Sequence, residues 1–190
     1  MTEAQTTEDR EVHVLGGGNS AGQAAMYLSK YASKVTLLVR GSSLAASMSE
    51  YLMTEIEAAE NIEVHLSTRV VDGGGEGRLE YLVLKDSISG AAKIVSSAAL
   101  FVLIGAEPHT GWLAGDIVRD RRGYVVTGQS LLRDWGTTEV WPLERPPMLL
   151  ETSIPGAFAA GDVRHRSVKR VASAVGEGSI AIPLIHSYLN

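Results

Sequence analysis

The sequence predicts an α/β fold: a parallel sheet wound by helices into three layers, with a β-meander serving as one crossover. Two observations carry that expectation. From Glu11 to about Leu66, apolar runs of strand length alternate with amphipathic segments of helical period, which is the pattern of parallel strands joined by helical crossovers. The rhythm then changes to short apolar runs separated by glycines and a Ser-Gly pair, the pattern of antiparallel hairpins.

A first strand over 11–15 runs straight into Gly16-Gly17-Gly18-Asn19-Ser20-Ala21 and a helix over 20–31, for which Asn19 and Ser20 are good N-caps. In this Gly-x-Gly-x-x-Ala turn each position has a mechanical role. Gly16 permits the tight turn, Gly18 lets the backbone approach a pyrophosphate, and Ala21 keeps the helix close to the sheet. The helix N-terminus offers free N–H groups and the positive end of its dipole. Dinucleotide binding is the expected use; the alternative is a structural turn without ligand.

A strand over 35–39 then falls where a βαβ unit places it. The next helix, 47–58, opens on Ser47-x-x-Glu50, a capping box, and puts Met48, Leu52 and Ile56 on one face, ahead of a strand over 62–66. Segments 69–72, 79–85 and 93–97 read as a three-stranded antiparallel meander, and 100–104 returns as a fully buried strand ending at Gly105 and Pro108. From His109 to Glu151 the chain is irregular and carries Trp112, Trp135, Trp141, Pro142, Pro146 and Pro147, a long connection or the edge of another domain. A short strand from Ile154 ends in Gly161-Asp162, and a helical run from about Lys169 to Leu189 is expected to kink or break at Pro183.

Composition narrows the function classes. A net charge of −5 disfavours nucleic acid as a partner, and no apolar run reaches the length of a membrane span. Residues 1–10 are polar and acidic without a hydrophobic signal core, so a cytoplasmic location is expected. The 190 residues contain no cysteine, so they hold no thiol nucleophile, disulfide or thiolate metal site. The five histidines lack metal-ligand spacing and read as structural or solvated. No catalytic residue and no metal ligand is assigned.

Nucleotide preference is read at the end of the second strand. An NAD site usually carries an acidic residue there to bond the ribose diol, whereas this chain has Arg40, followed by the hydroxyls of Ser42 and Ser43. A guanidinium matches a 2′-phosphate in charge and fork geometry, so NADP is expected over NAD. An ordinary surface charge is the alternative reading of Arg40.

Taken together, Gly16 to Ala21, Gly105-Ala106-Glu107-Pro108 and Ala159-Ala160-Gly161-Asp162-Val163-Arg164 resemble the thioredoxin-reductase-like pyridine-nucleotide flavoproteins over nearly the whole chain. Leu38 to Gly41, Ala45 to Met48 and Val168 to Ser179 look like the branch that lacks the redox cysteine pair and is often fused to a cyclic-nucleotide-binding or response-regulator domain. The resemblance implies a Rossmann-like NAD(P)-binding domain over 11–108 and a C-terminal segment of an FAD-type domain over 109–190. It also implies that the N-terminal FAD half has no counterpart, because only fifteen residues precede Gly16.

By the same resemblance Gly161 and Asp162 face the ribityl and phosphate region of FAD, and Lys169, Arg170 and Val171 fall where the family touches the isoalloxazine. Only the backbone contact at Val171 carries over, since the side chains differ. A strand-end carboxylate suits sugar hydroxyls; capping of the following turn is the alternative for Asp162. Of the family's three cations around the 2′-phosphate, Arg40 alone remains. The basic run Arg164, His165, Arg166, Lys169, Arg170 reads either as an attractor for an anionic cofactor or acidic partner, or as a solvated loop. The implied activity is hydride transfer from NADPH to FAD and on to an external acceptor, with FAD held only once the missing half is supplied by a complementing subunit or a homo-oligomer. A non-catalytic nucleotide-binding module, and a subunit or fragment of a split flavoprotein, are the alternatives.

Overall fold

The computed structural model describes residues 5–113, 115–134 and 140–190. Trp135 and residues 1–4, read above from sequence, lie outside the described residues. The chain divides into two compact units, Met1–Gly105 and Ala106–Asn190.

In the first unit, β1 (Glu11–Leu15), β2 (Lys34–Leu38), β3 (Ile62–His65) and β7 (Ala99–Val102) form one parallel sheet in the order β3-β2-β1-β7. Their carboxyl ends are in register, with Leu15 opposite both Leu38 and Val102, and Leu38 opposite His65. Strand alternation sorts the side chains to two faces. Val12, Val14, Val35 and Leu37 pack with Ala21, Ala25, Leu28, Leu52 and Ile56 of α1 (Asn19–Leu28) and α2 (Glu50–Ala58). On the opposite face Leu15 and Leu38 meet Leu82 and Leu84 of the antiparallel sheet β4 (Thr68–Gly74), β5 (Tyr81–Asp86) and β6 (Ala92–Ser96). The order helices, parallel sheet, meander gives three layers, and each fully buried Leu or Val contributes about 1.5–3 kcal/mol by leaving water.

Three expectations need correction here. β7 is not fully buried: Val102 is 56% and Ile104 68% exposed, because the strand is an edge of its sheet and pairs with β1 alone. Ser47 caps nothing. α2 begins three residues later with Ser49 as N-cap and no side-chain cap bond, although Met48, Leu52 and Ile56 are buried together as expected. α1 likewise starts from Gly18 as N-cap with no side-chain bond, so neither Asn19 nor Ser20 caps it.

The second unit is built around Val126, Leu131 and Trp141. α3 (Gln129–Asp134) is a short helix inside the segment read as irregular. Glu151, fully buried, accepts both Arg145 Nη1 and Nη2 at 2.8 Å as well as the N–H groups of Met148 and Gly156. Arg145 also lies over the rings of Trp141 and Tyr188. Burial works against the Glu151 charge, but those four bonds outweigh it and hold the carboxyl below its usual range. The expected strand before Gly161 is reduced to a single bridge, Glu151 to Phe158, flanked by Thr152 N–H donating to the Ala157 carbonyl at 2.8 Å and Ala159 N–H to that of Leu150 at 3.0 Å. α4 (Val171–Leu189) continues unbroken through Pro183 and has no buried residue.

Candidate functional site

The glycine turn sits at the carboxyl end of β1, fixed by Gly16 N–H donating to the Leu38 carbonyl at 3.0 Å and by Leu103 N–H donating to that of Leu15 at 2.8 Å. Gly16 is obligatory. Its φ is +152°, and a Cβ there would lie 2.5 Å from the Leu103 carbonyl oxygen and 2.9 Å from Ala21 Cβ. Ala21 is completely buried, in contact range of that same point. Gly18 is different. Its backbone is extended (φ −99°, ψ 178°), and the nearest atom to a Cβ would be Ser47 O at 3.7 Å. The fold does not require glycine at 18; the space in front of it is what glycine preserves. Asn19 and Ser20 are exposed at the first turn of α1, where N–H groups have no partner inside the helix. This donor set fits a pyrophosphate.

Two side chains that bind the turn to α2 escape a local reading. Ser47 Oγ donates to the Gly17 carbonyl at 2.8 Å, and Asn19 Oδ1 accepts from Ser49 N–H at 2.8 Å. Both residues look like caps of their own helices, and each instead braces the other helix's start. Gly22 is the third missed position: a Cβ there would meet Leu52 Cδ2 at 2.5 Å, so it sets how closely α1 and α2 approach. Its signal in the sequence is a glycine on the buried face of α1.

Arg40 lies two residues beyond β2, exposed, with no hydrogen bond or ion pair among the described residues. Its loop is held by Ser67 N–H donating to the Gly41 carbonyl and Thr68 N–H to that of Val39, each at 2.9 Å. Ser43 Oγ is engaged by Ala45 N–H at 3.1 Å, while Ser42 is exposed. A free guanidinium on a fixed loop at this end of the sheet fits a 2′-phosphate. Gly105, the last residue of this unit, has φ +103° and open space around a would-be Cβ.

In the second unit Gly161 opens a single 3-10 turn, Gly161–Val163, with φ +79°. Gly161 is buried, and Asp162 beside it is exposed with no hydrogen bond or ion pair among the described residues and no capping bond. Its carboxylate is therefore open to hydroxyl donors, as a ribityl chain would supply. Val171 is 83% exposed at the start of α4, directly after its N-cap, Arg170.

The basic run is not a uniform attractor, because most of its charges are used internally. Arg164 Nη2 lies 2.6 Å from Glu177 Oε1, Arg166 pairs with Asp134 at 3.5 Å, and His165 Nδ1 lies 2.7 Å from Asp120 Oδ2. Burial opposes ionisation of Asp120, but His165 and the N–H groups of Tyr124 and Arg122 together lower its pKa. Lys169 Nζ is 4.2 Å from the centre of the Tyr124 ring and donates to Ser167 Oγ and the Arg164 carbonyl. Among the described residues Arg170 donates only to the Lys169 carbonyl, at 3.3 Å.

The family model described as pyridine nucleotide-disulphide oxidoreductase matches residues 2–178. A thioredoxin reductase of Neurospora crassa is 35% identical over 177 residues, 91% of this chain and 46% of that protein. Among solved structures, thioredoxin reductase from T. acidophilum has a TM-score of 0.72 at 26% identity, covering 100% of this chain and 56% of its own. Thioredoxin reductase of Lactococcus lactis has a TM-score of 0.74 at 22% identity, covering 98% and 55%, a likeness of fold. The chain spans about half the length of the curated relatives it matches.

Proposed function

The chain belongs to the pyridine nucleotide-disulphide oxidoreductase family, and on that premise we propose that it is the nicotinamide-nucleotide part of a flavin oxidoreductase, with NADP preferred to NAD. The observation that carries this reading is the pairing of an open, fold-neutral Gly18 with an Arg40 that has no partner among the described residues, both at the carboxyl edge of one parallel sheet. Ligands of α/β sheets bind at that edge. In this reading the first unit is the NAD(P)-binding domain and the second is the C-terminal segment of the FAD domain. When bound, the nicotinamide would supply hydride-transfer chemistry towards a flavin, with an external compound as the final electron acceptor.

The work of this chain's own residues is binding and orientation. The N–H groups at the start of α1 hold the pyrophosphate, Arg40 with Ser42 holds the 2′-phosphate, and Asp162 accepts from the ribityl hydroxyls. The 190 residues hold no cysteine, so a dithiol relay is not supplied by them. Cytoplasmic residence belongs to the same proposal; among the described residues no helix is long and apolar enough to cross a membrane.

One observation favours a complementing half, on this or another subunit. α4 exposes Val171, Val175, Ile182 and Leu189 at 57% or more, an apolar surface of the kind that marks an interface. Titration of the chain with NADPH and NADH by calorimetry tests the nucleotide reading, with tighter binding of NADPH expected. Equal affinities overturn the preference, and no binding of either overturns the function.

A further inference from the structure

Glu177 is the sole carboxylate after Asp162 in the sequence, and it lies in the second turn of an otherwise uncharged helix, its side chain 16% exposed. Its oxygens are fully committed. Oε2 accepts from the buried Gly161 N–H at 2.7 Å and from Arg164 Nε at 3.0 Å, and Oε1 accepts from Arg164 Nη2 at 2.6 Å. Arg164 Nη1 continues to Thr127 Oγ1 at 3.0 Å. The two ends of the turn that presents Asp162 are therefore hung on one carboxylate, and Asp162 itself takes no part.

We propose that Glu177 is a positioning residue: through Gly161 and Arg164 it fixes the Gly161–Val163 turn so that the Asp162 carboxylate is held out for the hydroxyl groups of a flavin's ribityl chain. The proposal rests on the reading that the second unit contributes to a flavin site. The geometry explains why a charge is placed here. A neutral side chain would leave a partly buried guanidinium half-paired and the Gly161 N–H without a strong acceptor. The Arg164 hydrogen bonds keep the Glu177 carboxyl below its usual range, so the peg is ionised at neutral pH. The close contact of Gly161 with Ala174, 3.3 Å from a would-be Cβ to Ala174 Cβ, lets the Glu177 side chain reach across one turn of α4.

The test compares the 190-residue chain, Glu177→Gln, Asp162→Asn and the double variant by amide hydrogen exchange and by titration with FAD, read as quenching of flavin fluorescence. Glu177→Gln is expected to speed exchange at Gly161 at least about tenfold while Val126 and Leu131 keep their protection. It is also expected to weaken FAD binding as much as Asp162→Asn does, with the double variant no weaker than Asp162→Asn alone and NADPH affinity unchanged. Unaltered exchange at Gly161 overturns the positioning role even where FAD binds. Losses that add independently across the two positions overturn the link to Asp162. A chain that shows no FAD quenching, yet speeds at Gly161 in Glu177→Gln, overturns the flavin reading and the proposal with it, while the turn-fixing bond itself is then established.

Discussion

Gly16 and Gly18, two residues apart in one motif, should fail in opposite ways when given a side chain. At Gly18 a Cβ has only Ser47 O within 4 Å, at 3.7 Å, and the backbone is already in the extended region. Gly18→Val should then leave the fold intact, with stability changed by no more than about 1 kcal/mol, since loss of glycine also narrows the unfolded ensemble. The valine methyl groups instead fill the space a pyrophosphate needs. Losing two charge-assisted N–H bonds, at about 1.5–3 kcal/mol each, lowers NADPH affinity by two orders of magnitude or more. At Gly16 a Cβ falls 2.5 Å from a backbone oxygen at φ +152°, so Gly16→Ala should cost at least about 2 kcal/mol of stability from strain alone. Calorimetric titration with NADPH and thermal melts of both variants decide the matter. Normal NADPH binding by a cooperatively melting Gly18→Val protein would falsify the phosphate assignment and leave the turn purely structural.

Arg40→Ala should weaken NADPH by about 1.5–3 kcal/mol and NADH by little, because only the former carries the 2′-phosphate; equal losses for the two nucleotides in titration rule out the assignment. His13 is buried against Ser97 Oγ, and desolvation first, then the nearby His65, Lys34 and Lys93 charges, hold its pKa down to about 4 from 6.5. The unfolded chain takes up a proton that the folded one refuses, so His13's share of stability is whole above pH 6.5 and is lost as pH falls towards 4, about 3 kcal/mol in all. Urea melts at pH 7 and 4.5 should show this loss shrinking in His13→Gln, and an undiminished loss would count against it. The chain purified alone should bind FAD only weakly, measurable by titration but lost during purification, and should not reduce thioredoxin, since in the proposed site Asp162 and Val171 would grip a flavin at one end only and the 190 residues lack cysteine. An absorbance spectrum with full flavin bands would refute the first part.

What was legible in the sequence is what local backbone chemistry dictates. Gly16 had to be read as a turn because no other residue tolerates its φ and its approach to Leu103, and the strand–helix alternation follows from side-chain period alone. The misreadings share a cause. Ser47 and Asn19 have the composition of local caps, but their side-chain bonds run across thirty residues to the neighbouring helix start, and a hydroxyl or amide is equally satisfied by either partner. The strand at Ala99 reads as buried because its residues are apolar, yet exposure depends on whether a second neighbour pairs with its other edge, which no period encodes. In the second unit the basic run looks like a field for anions only while its counter-charges are unseen. Asp134 and Asp120 lie thirty residues or more upstream, and Glu177 is a full helical turn into α4. Charges of one sign in sequence predict a potential only after the fold has chosen their partners. Arg40 is the converse case: among the described residues nothing pairs with it, so its charge stays available to a ligand, and the proposed 2′-phosphate contact rests on that.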